Sequence, residues 1–143
     1  MNQEPVIPNP DTLGPWDTPA NCRHKVRVIA DLEGLTVAQK NSFSQTIRCE
    51  SGYNPTIVMF NCEKGFVRST AYNEAIHGAV LSKDVGLYQI NTYWHIGPGK
   101  DFPSEDYVLQ NPEACGRWAA RVFKSSPRVW VCFNKALYTQ YSA

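Results

Sequence analysis

The sequence IRCESGYNP, residues 47–55, decides how the rest of this chain is interpreted. It contains one acid, Glu50, and soon after it come Gly52 and Pro55, two residues that disfavour a continuing helix. We therefore expect this stretch to be the last turn of a helix that runs into a turn, with Glu50 close to the point where the helix ends.

The start of that helix is marked by Thr36 and Gln39. A threonine followed three residues later by glutamine fits a capping box, in which two side chains bond the free backbone N–H groups of a helix start. Phe43 and Ile47 precede Glu50 at helical spacing, so the acid shares a face with apolar residues. A carboxyl group there is partly desolvated, and desolvation raises its pKa, as a general acid working near neutral pH requires.

The composition predicts one globular domain. A chain of 143 residues can bury a core, and 43% hydrophobic with 19% charged residues separates it from disordered chains. The net charge of +1 and the scattered basic residues give no reason to expect nucleic acid as a partner. No apolar run has the length of a membrane span, and no Cys or His spacing suits zinc, so we expect no membrane span, no metal and no cofactor.

The amino-terminal region differs from the rest in composition. Residues 2–20 hold five prolines, so we expect 1–20 to be a flexible arm with an unknown protein partner, pinned at most by Trp16, and 21–143 to be the domain. Five cysteines favour an oxidising compartment, whereas the start of the chain lacks the features of a signal peptide. The two facts agree if an export signal has been removed, so we expect a periplasmic, cell-wall or extracellular protein.

The spacing of apolar residues predicts the other elements. They are a first helix over 22–35, a β-hairpin with strands 56–60 and 66–72, a helix that opens at 111–113 with Asn111 as its cap, and a last helix to about 137. Residues 73–81 fit either a loop or a helical turn. The chain is therefore predicted to be α+β and mainly α.

Two segments together resemble the catalytic domain of soluble lytic transglycosylases. ESGYNP at 50–55 matches the Glu-Ser-x-x-Asn-Pro signature of that family, and DVGLYQIN at 84–91 is similar to the Gly-Leu-x-Gln-Ile block that follows it. A weaker match lies at 132–134, where the family has an Ala-x-Tyr-Asn sequence that reaches the acid. The resemblance covers about residues 40–138 and implies a lysozyme-like fold, with a small β-hairpin lobe and a cleft between the lobes.

The resemblance also implies a reaction. Glu50 would protonate the leaving oxygen of the β-1,4 bond between MurNAc and GlcNAc in peptidoglycan strands. The same side chain would then act as base while the muramoyl 6-hydroxyl closes on the anomeric carbon. The product is a 1,6-anhydro end, and no water is consumed.

Five residues are expected to contact the substrate. In the family's pattern Gln89 points into the cleft, where its amide can donate to and accept from an N-acetyl group; a buried amide that ties the lobes together is the alternative. Asn134 faces the acid by analogy. Ser51 either orients Glu50 or a sugar, or caps the turn. The full set is Ser51, Tyr88, Gln89, Asn91 and Asn134.

The aromatic residues and histidines leave alternatives open. Tyr88, Tyr93 and Trp94 are either sugar-stacking rings or core residues. Phe133 stands where the family commonly has Tyr, so a hydroxyl group that would bond the acid is missing. The three histidines have no evident partner in the sequence. How the base form of Glu50 is stabilised is therefore an open point.

Asp84 keeps a second reaction open. Its block also resembles that of c-type lysozymes, in which this Asp is the second catalytic carboxylate, and a retaining hydrolase needs two carboxyl groups about 5–5.5 Å apart. Asp84 and Glu50 would then hydrolyse the same bond as a lysozyme. Asp84 is otherwise a structural residue that accepts backbone hydrogen bonds in a turn. Secretion-associated lytic transglycosylases also have an Asp here, and a non-catalytic glycan-binding module is a further hypothesis.

Five cysteines leave one unpaired or intermolecular. Cys115 and Cys132 are predicted to lie on consecutive helices and to face each other. Cys49 is expected to reach Cys62, and Cys22 to hold the first helix. Other pairings are possible, so the connectivity stays open at this point.

Overall fold

The structure is a computed structural model, and it describes residues 13–135. Within that range the chain is α+β and mainly α, as predicted, with helices around a small antiparallel sheet. The helices and strands are α1 (Pro19–Leu32), α2 (Val37–Ser51), β1 (Val58–Cys62), β2 (Gly65–Arg68), α3 (Glu74–His77), β3 (Val80–Val85), β4 (Ile90–Asn91), α4 (Thr92–His95), α5 (Glu105–Gln110), α6 (Pro112–Ser125) and α7 (Val131–Asn134), with 3-10 turns at Ser69–Ala71 and Pro127–Val129.

Helix α2 begins and ends for the reasons given by its sequence. The backbone N–H of Thr36 donates to Gln39 Oε1 at 2.8 Å, and the N–H of Gln39 donates to Thr36 Oγ1 at 3.1 Å, so the predicted capping box is confirmed. At the other end Gly52 has a φ of +63°, a left-handed conformation that favours glycine and terminates the helix. The helix ends one residue beyond the predicted position.

The sheet contains the predicted hairpin and two further strands. Its order is β2-β1-β3-β4, and all neighbouring strands are antiparallel. Residues 73–81, which the sequence left undecided, form helix α3 and the start of β3. Asn61 lies opposite Ser82, and Asp84 lies opposite Asn91. These four polar residues therefore come together across three strands.

The core is centred on aromatic rings contributed by separate elements. Phe43 of α2 packs against Tyr88, Phe123 and Trp130 at centroid distances of 5.2–6.5 Å. A Cβ atom added to Gly116 would lie 2.5 Å from the hydroxyl of Tyr88. Only glycine therefore lets α6 pass this ring so closely.

The first helix differs from its predicted bounds. It begins at Pro19 and ends at Leu32, because Thr18 caps it by accepting a hydrogen bond from the N–H of Asn21, and Pro19 fits the first turn of a helix. Trp16 packs against the core, which agrees with its expected pinning role. Residues 1–12 of the predicted arm lie outside the described residues.

The prediction of one continuous last helix is wrong. It is interrupted at Trp130, which is extended between a 3-10 turn and α7, and the predicted end at Leu137 lies outside the described residues. The buried indole Nε1–H of Trp130 donates to the carbonyl of Tyr88 at 3.0 Å, which holds the chain at this break. Asn111 is the N-cap residue of α6, as predicted, but its side chain makes no capping hydrogen bond, and its amide N–H donates to the carbonyl of Tyr107.

A cluster of charged residues joins the end of α1 to α6. Arg117 is 3% exposed and pairs with Glu33 at 3.0 Å, and its Nε lies 3.8 Å from Glu113. Arg121, further towards solvent, also pairs with Glu33 at 2.8 Å.

None of the helices within residues 13–135 has both the length and the hydropathy that crossing a bilayer needs.

Candidate active site

Glu50 lies at the boundary of two cavities. The first, of about 400 Å³, is bordered by the polar face of the sheet, by α4 and by residues 129–131. The second, of about 340 Å³, is bordered by the end of α2 and by β1 and β2. Among the described residues, Glu50 is therefore the one that borders both of these cavities.

The carboxyl group of Glu50 is held partly out of water. Burial raises its pKa above the ordinary value of 4.5. A hydrogen bond from the N–H of Cys132 to Glu50 Oε2, 2.9 Å long, acts in the opposite direction, and the negative charge of Asp84 raises the pKa further. A carboxyl group of this kind can hold a proton at higher pH than an exposed one and still has a donor ready for its anion.

A disulfide places that donor. Cys49, next to Glu50, is bonded to Cys132, so the end of α2 is covalently joined to α7. The predicted pairs Cys115–Cys132 and Cys49–Cys62 are wrong, because the break at Trp130 directs α7 towards α2. Cys22, Cys62 and Cys115 are free and buried, and burial raises the pKa of Cys115 to about 12.

Asp84 is fixed on the face of the sheet that borders the first cavity. Its two oxygens accept hydrogen bonds from the amides of Asn61 and Asn91, at 3.2 and 2.9 Å. Ser82 Oγ accepts from the same two amides, at 3.1 and 3.3 Å. The backbone hydrogen bonds expected of a structural Asp84 in a turn are thus replaced by side-chain amides, an arrangement that suits an anion.

Gln89 borders the same cavity, but the nitrogen of its side-chain amide is hydrogen-bonded within the protein. Its Nε2 donates to the carbonyl of Gly86 at 2.9 Å, with longer contacts to the carbonyls of Asp84 and Ile57. Gln89 also has a φ of +51°. Within residues 13–135 no hydrogen bond reaches Oε1, which leaves that atom as the part of the side chain available to a ligand.

The structure brings Glu50, Asp84, Tyr88, Gln89 and Asn91 to the first cavity, but two other predicted residues are placed differently. Ser51 borders the second cavity instead, and its Oγ donates to the carbonyl of Ile47 at 3.1 Å. Asn134 does not reach the acid; its amide donates to the carbonyl of Arg128 at 2.7 Å.

Tyr88 borders the cavity, but its ring is a core residue. It is 2% exposed and stacks with Phe43 at a centroid distance of 6.3 Å. The exposed aromatic pair of the site is Tyr93 and Trp94, whose rings meet edge to face at 4.8 Å, and Trp94 borders the cavity.

Sequence reasoning missed several residues of the site. His95 borders the cavity and its Nδ1 lies 2.7 Å from Asp101 Oδ2, so the statement that the histidines lack partners is wrong. The two residues are separated by a loop, and only their short spacing offered a signal. Asn61 and Ser82 were also missed, although the alternation of side chains along paired strands predicts that such residues share a face with Asp84.

Among the described residues no group of three or more His, Cys, Asp or Glu side chains is arranged to hold a metal ion. No protein-family model, curated protein or solved structure matches this chain.

Proposed function

We propose that this protein is a lytic transglycosylase that cleaves the MurNAc–GlcNAc β-1,4 bond of peptidoglycan. The observation that carries the proposal is Glu50, a partly buried acid with a raised pKa between two cavities. We also propose that the fold is lysozyme-like, with the sheet as the small lobe, helices α1, α2 and α6 as the large lobe, and the first cavity as the cleft.

In this proposal Glu50 donates one proton as an acid and then accepts a second one as a base. Its acid form gives the proton to the glycosidic oxygen as the bond from that oxygen to the anomeric carbon breaks. The resulting carboxylate keeps the hydrogen bond from the Cys132 N–H. It then accepts the proton of the muramoyl 6-hydroxyl as that oxygen bonds to the anomeric carbon. The backbone donor thus supplies the stabilisation that Phe133, in place of a tyrosine, cannot give.

Asp84 has an electrostatic part in the same step. The transition state of glycoside cleavage is oxocarbenium-like and positively charged near the anomeric carbon. Asp84 borders the cavity on one side of Glu50 and is held by two amides, so its negative charge is oriented before the reaction begins.

A lysozyme is the second candidate, and the placement of Asp84 favours it. Glu50 lies in a desolvating environment and Asp84 in a hydrogen-bonded one, and two carboxyl groups in such different surroundings can act as acid and anion. In that case Asp84 would assist hydrolysis, and water would take the place of the 6-hydroxyl group.

The proposed localisation is an exported one. The Cys49–Cys132 disulfide joins the residue next to the acid to α7, and such bonds persist in oxidising compartments.

Mass spectrometry of the soluble fragments released from purified peptidoglycan tests the proposal. We expect 1,6-anhydro ends, lighter than reducing ends by one water, and a loss of at least about 100-fold in release with Glu50→Gln. Glu74→Gln, which changes an exposed acid on α3, is the matched control and should release as much as the wild type. Reducing ends would support the lysozyme, and Asp84→Asn should then be as inactive as Glu50→Gln. Absence of fragments would leave only a glycan-binding module.

A further inference from the structure

The two cavities that meet at Glu50 differ in charge. The first is bordered by Asp84, whereas the second is bordered by Arg48 and Arg68. Both arginines are exposed. Within residues 13–135 Arg68 has no carboxylate partner at ion-pair distance. The second cavity is therefore the more cationic of the two cavities that Glu50 borders.

An apolar side chain stands beside these cations. Phe66, on strand β2, borders the second cavity and is 62% exposed. A ligand that fits this cavity would combine negative charge with small apolar groups. A neutral sugar does not, since it carries no charge that complements the exposed Arg68.

We propose that the second cavity is a subsite for the carboxylate-bearing peptide of a peptidoglycan strand. This inference rests on the proposed function, because it assumes that a glycan strand passes Glu50. The peptide substituents of such a strand carry carboxylates and small apolar side chains, which match Arg48, Arg68 and Phe66. Arginine suits this role because its planar fork binds a carboxylate through two parallel hydrogen bonds.

The two cavities would then bind different parts of the strand. The glycan backbone occupies the first cavity, where amides and carboxylates border it, and the peptide lies against the arginines on the other side of the acid. Strands that carry intact peptides should therefore be preferred over strands whose carboxylates have been neutralised.

Binding to insoluble peptidoglycan tests this inference without cleavage. Co-sedimentation is measured in the Glu50→Gln background, with untreated peptidoglycan and with peptidoglycan whose carboxyl groups have been converted to methylamides. The double variant Arg48→Gln/Arg68→Gln should bind untreated material about 10-fold more weakly, and both proteins should bind the methylamide form alike. The charge-matched control Lys64→Gln/Lys135→Gln, two exposed lysines outside both cavities, should bind like its parent.

A second variant separates charge from fork geometry. Arg48→Lys/Arg68→Lys should bind untreated peptidoglycan more tightly than the glutamine variant and more weakly than its parent. Equal binding of parent and glutamine variant to untreated material would overturn the subsite, as would an equal loss on both materials.

Fragment release by the proteins that retain Glu50 distinguishes this failure from failure of the proposed function. Cleavage by the wild type, with an unchanged KM in the glutamine variant, would remove the subsite and leave the function. Charge-dependent binding without cleavage would remove the function and leave the subsite as a peptide-binding site.

Discussion

Glu50 is an acid that the folded chain keeps partly out of water, and this has a consequence for stability as well as for chemistry. Burial disfavours its anion, and neither the N–H of Cys132 nor any other contact offsets that effect, since the pKa remains raised. The unfolded chain has no such restriction. The folded protein therefore places this carboxyl group where its neutral form is favoured over its anion.

We predict that Glu50→Gln makes the protein more stable near pH 7. A carboxyl group whose pKa is raised on folding contributes stability below its unfolded pKa and loses that contribution as the pH rises through the folded value. Gln is neutral throughout, so its advantage should be present at pH 7 and should disappear below the ordinary value of 4.5. Thermal melts of the two proteins at several pH values measure this, and equal melting temperatures at pH 7 would contradict it.

The predicted site residues that the structure brings to one cavity depend on short-range patterns. Glu50 follows from helix spacing, and Asp84 and Asn91 are seven residues apart on strands joined by a tight turn. Asn134 was assigned by analogy with a helix that this chain interrupts, and its place at the acid is taken by the N–H of Cys132. A backbone donor carries no signature of residue type, so the sequence could not identify it.

At the scale of elements, α2 and α7 depend on each other. Helix α7 has only four residues, too few to be stable alone, and it is held by the disulfide to Cys49 and by the anchored ring of Trp130. The hydrogen bond to Glu50 comes from the same short helix. The geometry of the acid is therefore as stable as the attachment of α7.

We predict that Cys49→Ser/Cys132→Ser lowers the free energy of unfolding by about 2–4 kcal/mol, because the disulfide closes a long loop. Fragment release should fall by about 10-fold or more even where the variant is folded, since the Cys132 N–H is no longer held against Glu50. Urea unfolding and the release assay measure the two effects.

Cys62→Ser, which removes a buried free thiol and leaves the disulfide intact, is the control. A reductant should slow fragment release by the wild type but not by the double variant. Full activity of the folded double variant would show that the disulfide does not position the donor.

The elements themselves were predicted unevenly. The start of α2 follows from two side chains three positions apart, and the structure confirms the predicted capping box. The break in the last helix depends on a bond between Trp130 and Tyr88, which are 42 residues apart, and local periodicity does not contain such information.

At the scale of the whole molecule, the charged cluster around Arg117 joins segments from opposite ends of the described chain. Glu33 follows α1, and its partners Arg117 and Arg121 are 84 and 88 residues away on α6. Arg117 is buried with its carboxylate partners, whereas the Arg121 side chain is 57% exposed. The cluster thus contains a matched pair of arginines in different surroundings.

We predict that Arg117→Met lowers the free energy of unfolding by about 3 kcal/mol, because it removes the buried positive charge that lies beside the carboxylates of Glu33 and Glu113. Arg121→Met should cost less than about 1 kcal/mol, since exposed ion pairs contribute little. Chemical denaturation of both variants compares them directly. Equal losses of unfolding free energy in the two variants would mean that burial does not decide how much each arginine contributes to stability.

The class of the molecule was predictable from the sequence, but the packing of α1 against α6 was not. Apolar periodicity and turn residues indicate which helices and strands exist, and the α+β fold class follows from the list of those elements. Which helices meet depends on contacts such as that of Gly116 on α6 with Ile29 on α1, where a Cβ atom added to Gly116 would lie 2.8 Å from Ile29 Cδ1. The signal for such a contact is spread over two distant residues.

The distance in sequence between Glu50 and Cys132 also imposes an order of events during biosynthesis. The acid leaves the ribosome 82 residues before its donor does, and the bond that fixes the donor forms only under oxidising conditions. A newly made chain in a reducing cytoplasm therefore has the acid but not its finished surroundings. If the proposed function holds, the reduced chain would be latent like a zymogen, with oxidation, rather than proteolysis, as the step that completes the site.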